Sequence, residues 1–524
     1  MYQTIKTCFN HILIVCMFLS LFAGNIQAVE HDPFDTIVRI SKNNGTIYEL
    51  LKDISKQSGY LLIYDSRIID NDIKVKINKG KYSLRDAIYL ITGDKELQLD
   101  LSGEYIMIRR GDKQTATIFN DNTPTESKEQ DTIFTIGGKL LDAETNEVVT
   151  SASVGIINTF IGTITNREGD FRLIIPDSLR NRKVRVSHIG YESIEIDLAL
   201  LKGEVVNLEL KPAIVPLNEV VVSGARPEPL LNDMLNNRQA NYASEPVSLT
   251  TFYREGIDHN NKNIDITESV LHIYKTGYKR NAAFDHVKLI KKRRVENRPL
   301  ADTIFPKMRS GINSCLVLDI IKELPEFIAP DKETQYSYSY AGRTVIDNRK
   351  VNIISFKQKE YINDPLYTGH IFIDNEKKAL VEVRFEINPK YADKATNMFI
   401  DRKSPGIRII LQKAQYIVSY KLSDDGFYYI NHVRGDLRFK IRKNKQLFNS
   451  AIHLWFEMVT CDIVTKDVQG IPVSERLSKT RIFSETKHDY DINFWGNFNI
   501  ILPEEALKEN IIKNLNEIVI TAGD

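Results

Sequence analysis

Between Phe34 and Arg110 the apolar residues switch between two spacings. Thr46-Ile47-Tyr48-Glu49 has the form of a capping box, in which the N-cap hydroxyl and a carboxylate three residues on satisfy each other's backbone N–H groups. Ile47, Leu50, Leu51 and Ile54 then share one helical face until Ser58-Gly59 ends it. Ser83-Leu84-Arg85-Asp86 opens a second helix in the same way, with Leu84, Ala87, Ile88 and Ile91 as its stripe and Gly93 as its stop. Strand-like runs flank both helices, in TIVRIS, YLLIYD, DIKVKI, LQLDL and YIMIRR, so residues 33–110 read as a small α+β module.

Residues 111–131 carry no apolar period and read as a polar linker. From 132 to 212, short β-prone runs are punctuated by Gly137-Gly138, Asp142, Gly162, Gly169 and Gly190, the rhythm of a β-sandwich. Residues 213–228 are extended, because Pro212, Pro216 and Pro227 discourage a helix, and they contain LNEVVVSGA at Leu217–Ala225. A near copy, LNEIVITAG, occurs at Leu515–Gly523.

Residues 229–524 open with a predicted helix, PLLNDMLNNRQANYA, and continue in long alternating strands. Asp374-Asn375-Glu376 and Asp424-Asp425-Gly426 supply hairpin turns between them. Further helices are predicted at Ile312–Leu324 and Pro503–Leu515. The expected architecture is multidomain and β-rich: an α+β module, a sandwich, then a large antiparallel sheet with helices packed on one side.

Four resemblances follow from these segments. The order of elements in 33–110 resembles the short N-terminal domain shared by secretins and signalling TonB-dependent transporters (STN). IGGKLLDAETNEVVTSASVGIINTFIGTITNREGDFRLIIP, with VSHIGYESIEIDL after it, resembles the carboxypeptidase-regulatory-like domain that begins many Bacteroidota outer-membrane transporters; Asn166–Phe171 and His188–Glu192 carry the likeness. That resemblance implies a non-catalytic accessory sandwich. The curved sheet expected for 229–524 resembles the half-shell of periplasmic lipoprotein and lipid carriers, an architectural likeness. FYREGI, TESVLHIYKT and NFWGNFNIILPEE are also similar to a Bacteroidota family that couples such a sandwich to a C-terminal region.

Composition narrows the setting. Lys6, the apolar run Ile12–Ala23 and Asn25-Ile26-Gln27-Ala28 form a signal peptide, with cleavage expected after Ala28 and export to the periplasm, in association with the outer membrane as one option. No later run reaches the roughly 20 apolar residues of a membrane-spanning helix. The chain holds 70 Lys and Arg against 69 Asp and Glu, and losing Lys6 with the leader makes them equal, which argues against nucleic acid as a partner. Of four cysteines, Cys315 and Cys461 lie outside the leader, and either a disulfide or two buried thiols is compatible with them.

Candidate chemistry is sparse. Lys291, Lys292, Arg293 and Arg294 form the densest basic run, and Arg438, Lys440 and Arg442 share one strand face. Both sets are candidates for an anionic surface or partner, against the plain reading of a solvated sheet face. Tyr336, Tyr338 and Tyr340 alternate on one strand, where core packing competes with sugar stacking. None of the ten histidines begins an H-x-x-E pair, and no nucleophile elbow or phosphate loop occurs, so neither a catalytic site nor a cofactor is expected.

In transporters of the resembling type, a strand like Leu217–Ala225 lies close to the TonB box. Glu219, Val220, Val221 and Val222, with Glu517, Ile518, Val519 and Ile520, are therefore candidates for pairing with a partner's sheet edge. The chain after 228 is too short for plug and barrel. The first expectation is a non-enzymatic envelope protein that contacts TonB-like or regulatory proteins in signalling, assembly or uptake. A lipid or lipoprotein carrier is the alternative, with a glycan as a further candidate ligand, and a hydrolase of peptide or glycan comes third.

Overall fold

The computed structural model describes residues 32–110, 133–213, 226–296, 311–329, 333–479, 483 and 498–504, apart from short stretches at 65–68, 70–72, 103–104, 199–200, 202–204, 261, 400–406 and 444–448. The signal peptide, the linker and both copies of the repeated strand lie outside these residues.

The first module contains β1 (Ile37–Ile40), β2 (Asn44–Thr46), α1 (Ile47–Ser58), β3 (Leu61–Tyr64), β4 (Lys74–Lys76), β5 (Gly80–Ser83), α2 (Leu84–Thr92), β6 (Leu97–Ser102) and β7 (Tyr105–Arg110). The capping box forms: Glu49 N–H donates to Thr46 Oγ1 and Thr46 N–H to Glu49 Oε2, both at 3.2 Å. Gly59 and Gly93 end the helices at φ 78° and 71°, a conformation that costs residues with a Cβ more. The two predicted stripes meet in one core with Val38, Leu62, Ile106 and Ile108.

The second unit is a sandwich of β8 (Ile133–Asp142), β9 (Ser153–Ile156), β10 (Gly162–Ile164), β11 (Asp170–Pro176), β12 (Lys183–Ser187), β13 (Ile194–Asp197) and β14 (Val205–Leu210). One sheet runs β10-β9-β12-β13 and the other β11-β8-β14. Their facing residues, among them Leu140, Val154, Phe171, Leu173 and Val184, form the core.

The third unit begins with α3 (Glu228–Asn236) and α4 (Arg238–Asn241). Three strands follow: β15 (Val247–His259), β16 (Lys262–Lys275) and β17 (His286–Glu296). After α5 (Gly311–Val317) come β18 (Tyr336–Ile346), β19 (Arg349–Gln358), β20 (Tyr367–Asp374), β21 (Leu380–Ile387), β22 (Ile407–Leu422), β23 (Tyr428–Lys443) and β24 (Ser450–Val464). All ten strands form one sheet in the order β17-β16-β15-β24-β23-β22-β21-β20-β19-β18, every neighbour antiparallel. The predicted hairpins form: Asp374 Oδ1 accepts from Glu376 and Lys377 N–H at 2.7 and 3.0 Å, and Asp425 Oδ1 accepts from Phe427 N–H at 3.0 Å.

The connection from β17 to β18 joins one edge of this sheet to the other. Sheets of this many twisted strands curl, so a single crossover can lie over the whole inner face. Residues 311–328 do this. A Cβ on Gly311 would lie 2.0 Å from the Tyr253 hydroxyl of β15, while at the other end Phe327 stacks on Phe356 of β19 with ring centres 4.5 Å apart.

Candidate functional site

The inner face is apolar because every second residue of its strands is. Tyr253, Leu271, Val351, Ile371, Val383, Val418, Val433 and Met458 join the crossover's Ile312, Leu316, Ile320, Ile321, Phe327 and Ile328 in one buried cluster. Phe327 adds ring contacts to Tyr336, Tyr367 and Phe385 at 6.1, 5.7 and 5.2 Å.

Mid-crossover, the packing turns polar. Lys322 Nζ donates to Asp285 Oδ1 at 2.5 Å and to the carbonyl and hydroxyl oxygens of Thr276 at 2.8 Å each. Lys275 pairs with Asp319 and Asp285, and the Tyr420 hydroxyl donates to Asp319 Oδ1 at 2.7 Å. These charges are all within the protein interior, and burial together with Lys275 lowers the Lys322 ammonium to about 8. A buried pair of this kind adds little net stability over an apolar pair, but it fixes one register.

Beside this tetrad opens a cleft of about 410 Å³, between the helical start of the unit and the end of the crossover. Leu235, Tyr242, Tyr278 and Leu324 form its apolar wall, and Arg238 and Lys279 stand among its lining. Tyr242 and Tyr278 meet edge to face at 5.2 Å, and Arg238 Nη2 donates to the Tyr278 carbonyl at 2.9 Å. The Tyr278 hydroxyl is buried and has no hydrogen-bond partner among the described residues. Such a group calls for a water or a ligand.

The outer face carries charge instead. Glu457 of β24 accepts from Arg254 Nη2 at 2.9 Å, pairs with Arg434 Nη1 at 3.1 Å and faces His432 Nε2 at 2.9 Å. Arg434 Nε donates to Asp436 Oδ2 at 2.7 Å. The His453 ring lies between Asp436 Oδ1, 2.8 Å from Nε2, and Asp258 Oδ2, 3.0 Å from Nδ1. Burial opposes charge on His453, but the two carboxylates outweigh it and raise the imidazolium to about 9. With both nitrogens so engaged, neither is left to act as a base.

The sandwich docks on this charged face. Arg167 pairs with Asp436 at 3.4 Å, the Gly190 N–H donates to the Val345 carbonyl at 2.8 Å, and Phe160 meets Tyr429 edge to face at 5.8 Å. Residues 499–504 are bound to both units. The Asn499 amide pairs with both backbone groups of Ile174 at 2.7 and 3.2 Å, Thr163 Oγ1 donates to the Ile500 carbonyl at 2.9 Å, and Glu504 accepts from Arg254 at 3.0 Å. The His188–Glu192 run, read from sequence as a sandwich signature, thus also supplies a contact to the sheet.

The two basic sets are placed differently. Lys291, Lys292 and Arg293 are buried on β17; Arg293 pairs with Glu268 and Arg294 with Asp265. Lys291 and Lys292 lie over the Phe498 and Phe483 rings at 5.5 and 5.3 Å. Arg438 and Arg442 are exposed and Lys440 is partly buried, on one face of β23. Glu219, Val220, Val221, Val222, Glu517, Ile518, Val519 and Ile520 lie outside the described residues. Cys315 and Cys461 are free and buried. Tyr336 is buried and Tyr338 donates to the Phe327 carbonyl at 3.2 Å, so these rings pack the crossover. The outer-face network escaped the sequence reading, although charges at alternate positions of YREGID and HVRGD were its signal.

Residues 136–222 match the family model of a CarboxypepD_reg-like domain, which agrees with the sandwich. No curated protein matches the chain. Among solved structures, a domain assigned to outer membrane lipoprotein sorting from Vibrio parahaemolyticus is 11% identical over 48% of this chain and 96% of its own, with a TM-score of 0.21. A LolA superfamily protein from Nitrosomonas europaea is 8% identical over 47% of this chain and 96% of its own, at 0.16. Lipovitellin is 9% identical over 44% of this chain and 27% of its own, at 0.22. Likenesses this distant carry no weight for function. Among the described residues no helix is long and apolar enough to cross a membrane, and no cluster of His, Cys, Asp and Glu could hold a metal ion.

Proposed function

We propose that this chain is an exported, non-enzymatic envelope protein whose ten-stranded sheet carries an acyl chain of a lipid or lipoprotein. One observation carries the reading: the apolar inner face is covered by its own crossover, and a cleft of about 410 Å³ opens beside the crossover's end. That volume is in the range of about 300–1,000 Å³ usual for small-molecule sites. Leu235, Tyr242 and Leu324 suit a hydrocarbon chain, while Arg238 and Lys279 suit an anionic head group. The crossover stands where the rest of the chain would go. Its ionic tetrad holds a closed position that an entering ligand must compete with.

Native mass spectrometry of the full chain purified from its own host tests this. An added mass that solvent extraction releases as lipid supports carriage, and a clean unliganded mass rejects it.

A second reading, contact with envelope proteins, is favoured by the first module, which has its own core and is followed by a polar linker. Its resemblance to the STN domain and the Leu217–Ala225 strand support a TonB-like or regulatory partner. Cross-linking in cells that captures no envelope protein through residues 33–110 would count against it.

A further inference from the structure

A second cleft lies between the sandwich and the hairpin ends of the sheet. Its outer part, about 140 Å³, is lined by Arg185 from β12, by Asp347-Asn348 at the β18–β19 turn and by Asp424 at the β22–β23 turn. An adjoining part of about 50 Å³ adds Lys421 and Asn431 and shares Arg185 and Asp424. Clefts between domains are favoured places for small ligands.

These walls hold polar groups that the protein leaves unused. Asp347 Oδ2 reaches Arg349 at 4.0 Å, but its Oδ1 is buried with no hydrogen-bond partner among the described residues. Arg185 is held by Glu195 at 2.7 Å, yet Lys421 beside it lies in a partly buried position with no ion pair or hydrogen bond of its own among the described residues. Asn348, Asn431 and Asp424 likewise contribute no side-chain hydrogen bond among the described residues. Unused groups at such density in one cleft mark a place for water or a ligand.

The mixture of charges selects the ligand's chemistry. A free anion would face Glu195, Asp347 and Asp424, and a free cation would face Arg185, Arg349 and Lys421. A neutral polyhydroxylated molecule meets both, since each hydroxyl donates one hydrogen bond and accepts others. The outer part has room for several waters or a small polar molecule.

We propose that this interdomain cleft is a saccharide site, with Lys421 donating and Asp347 and Asp424 accepting. The proposal does not rest on acyl-chain carriage. The test uses the labelled full chain on a glycan array, followed by titration of the best-retained glycan into wild type, Lys421→Met and Asp424→Asn. Asp424 is exposed in a turn, so at least that variant folds. Retention of a glycan, weakened about tenfold in both variants as for loss of one charged hydrogen bond and unaffected by added inorganic phosphate, is expected. No retained glycan, unchanged binding in both variants, or displacement by phosphate would overturn it.

Discussion

The two faces of the ten-stranded sheet are made from alternate residues of the same strands, yet they solve opposite problems. On β24, Trp455 and Glu457 lie under the sandwich, while Phe456 and Met458 pack under the crossover. The outer face joins two folded units through a charged network in which each ion has a fixed partner. The inner face joins a sheet to a segment of its own chain, mostly through apolar contact, with one buried tetrad of Lys275, Asp285, Asp319 and Lys322 holding the register. Charge fixes a unique docking, whereas an apolar face can exchange one hydrocarbon surface for another.

Removing the centre of the outer network should produce the largest effect. Glu457→Ala leaves Arg254 and Arg434 without their shared carboxylate, and chemical denaturation should show a loss toward the upper end of about 3–5 kcal/mol. A loss below about 1 kcal/mol would mean that water already solvates the joint.

Phe327→Ala, on the inner face, should cost about 3–4 kcal/mol by the same measurement. Added long-chain lipid should restore part of that stability, because a ligand that binds the folded state stabilises it. Without such restoration the inner face would be an ordinary core.

The two faces should also separate by pH. Glu255 faces inward, and burial raises its carboxyl to about 7 from an ordinary 4.5 against the hydrogen bond from Tyr253. His453 on the outer face is raised to about 9 from 6.5. A raised folded-state pKa gives stability that is complete below the unfolded value and lost as pH rises through the folded one. Melting temperature should therefore fall from pH 4.5 to 7 through Glu255, and again from 6.5 to 9 through His453. Glu255→Gln should flatten only the first decline and His453→Gln only the second.

The smallest effect is expected at the exposed basic set. Arg438→Ala should change stability by no more than about 0.5 kcal/mol, whereas Arg293→Ala, which strands the buried Glu268, should cost about 3 kcal/mol or more.

That contrast also shows how far the sequence could be read. Helix caps, hairpin turns and the long alternating strands were legible, because Thr46, Gly59, Asp374 and Asp425 act on their own neighbours. The basic residues 291–294 were not, since Glu268 and Asp265 belong to another strand and only the register of β16 with β17 brings them together. Arg254 and Glu457, 203 positions apart, pair for the same reason. The crossover's helix was legible only at its start: it runs Gly311–Val317 and gives way to turns where Ile312–Leu324 was expected, because Asp319 and Lys322 turn to the buried ions, and its place over the inner face depends on strand order, which no local pattern encodes. The cleft beside its end depends on that order too.

Native mass spectrometry on host-purified wild type beside Leu324→Glu addresses carriage most directly. Leu324 lines the cleft and is 37% exposed, so the substitution spares the core while placing a carboxylate against the expected chain. Wild type should retain an extractable lipid and Leu324→Glu should lose it. A wild type free of lipid, or equal lipid in both proteins, would contradict carriage by the inner face.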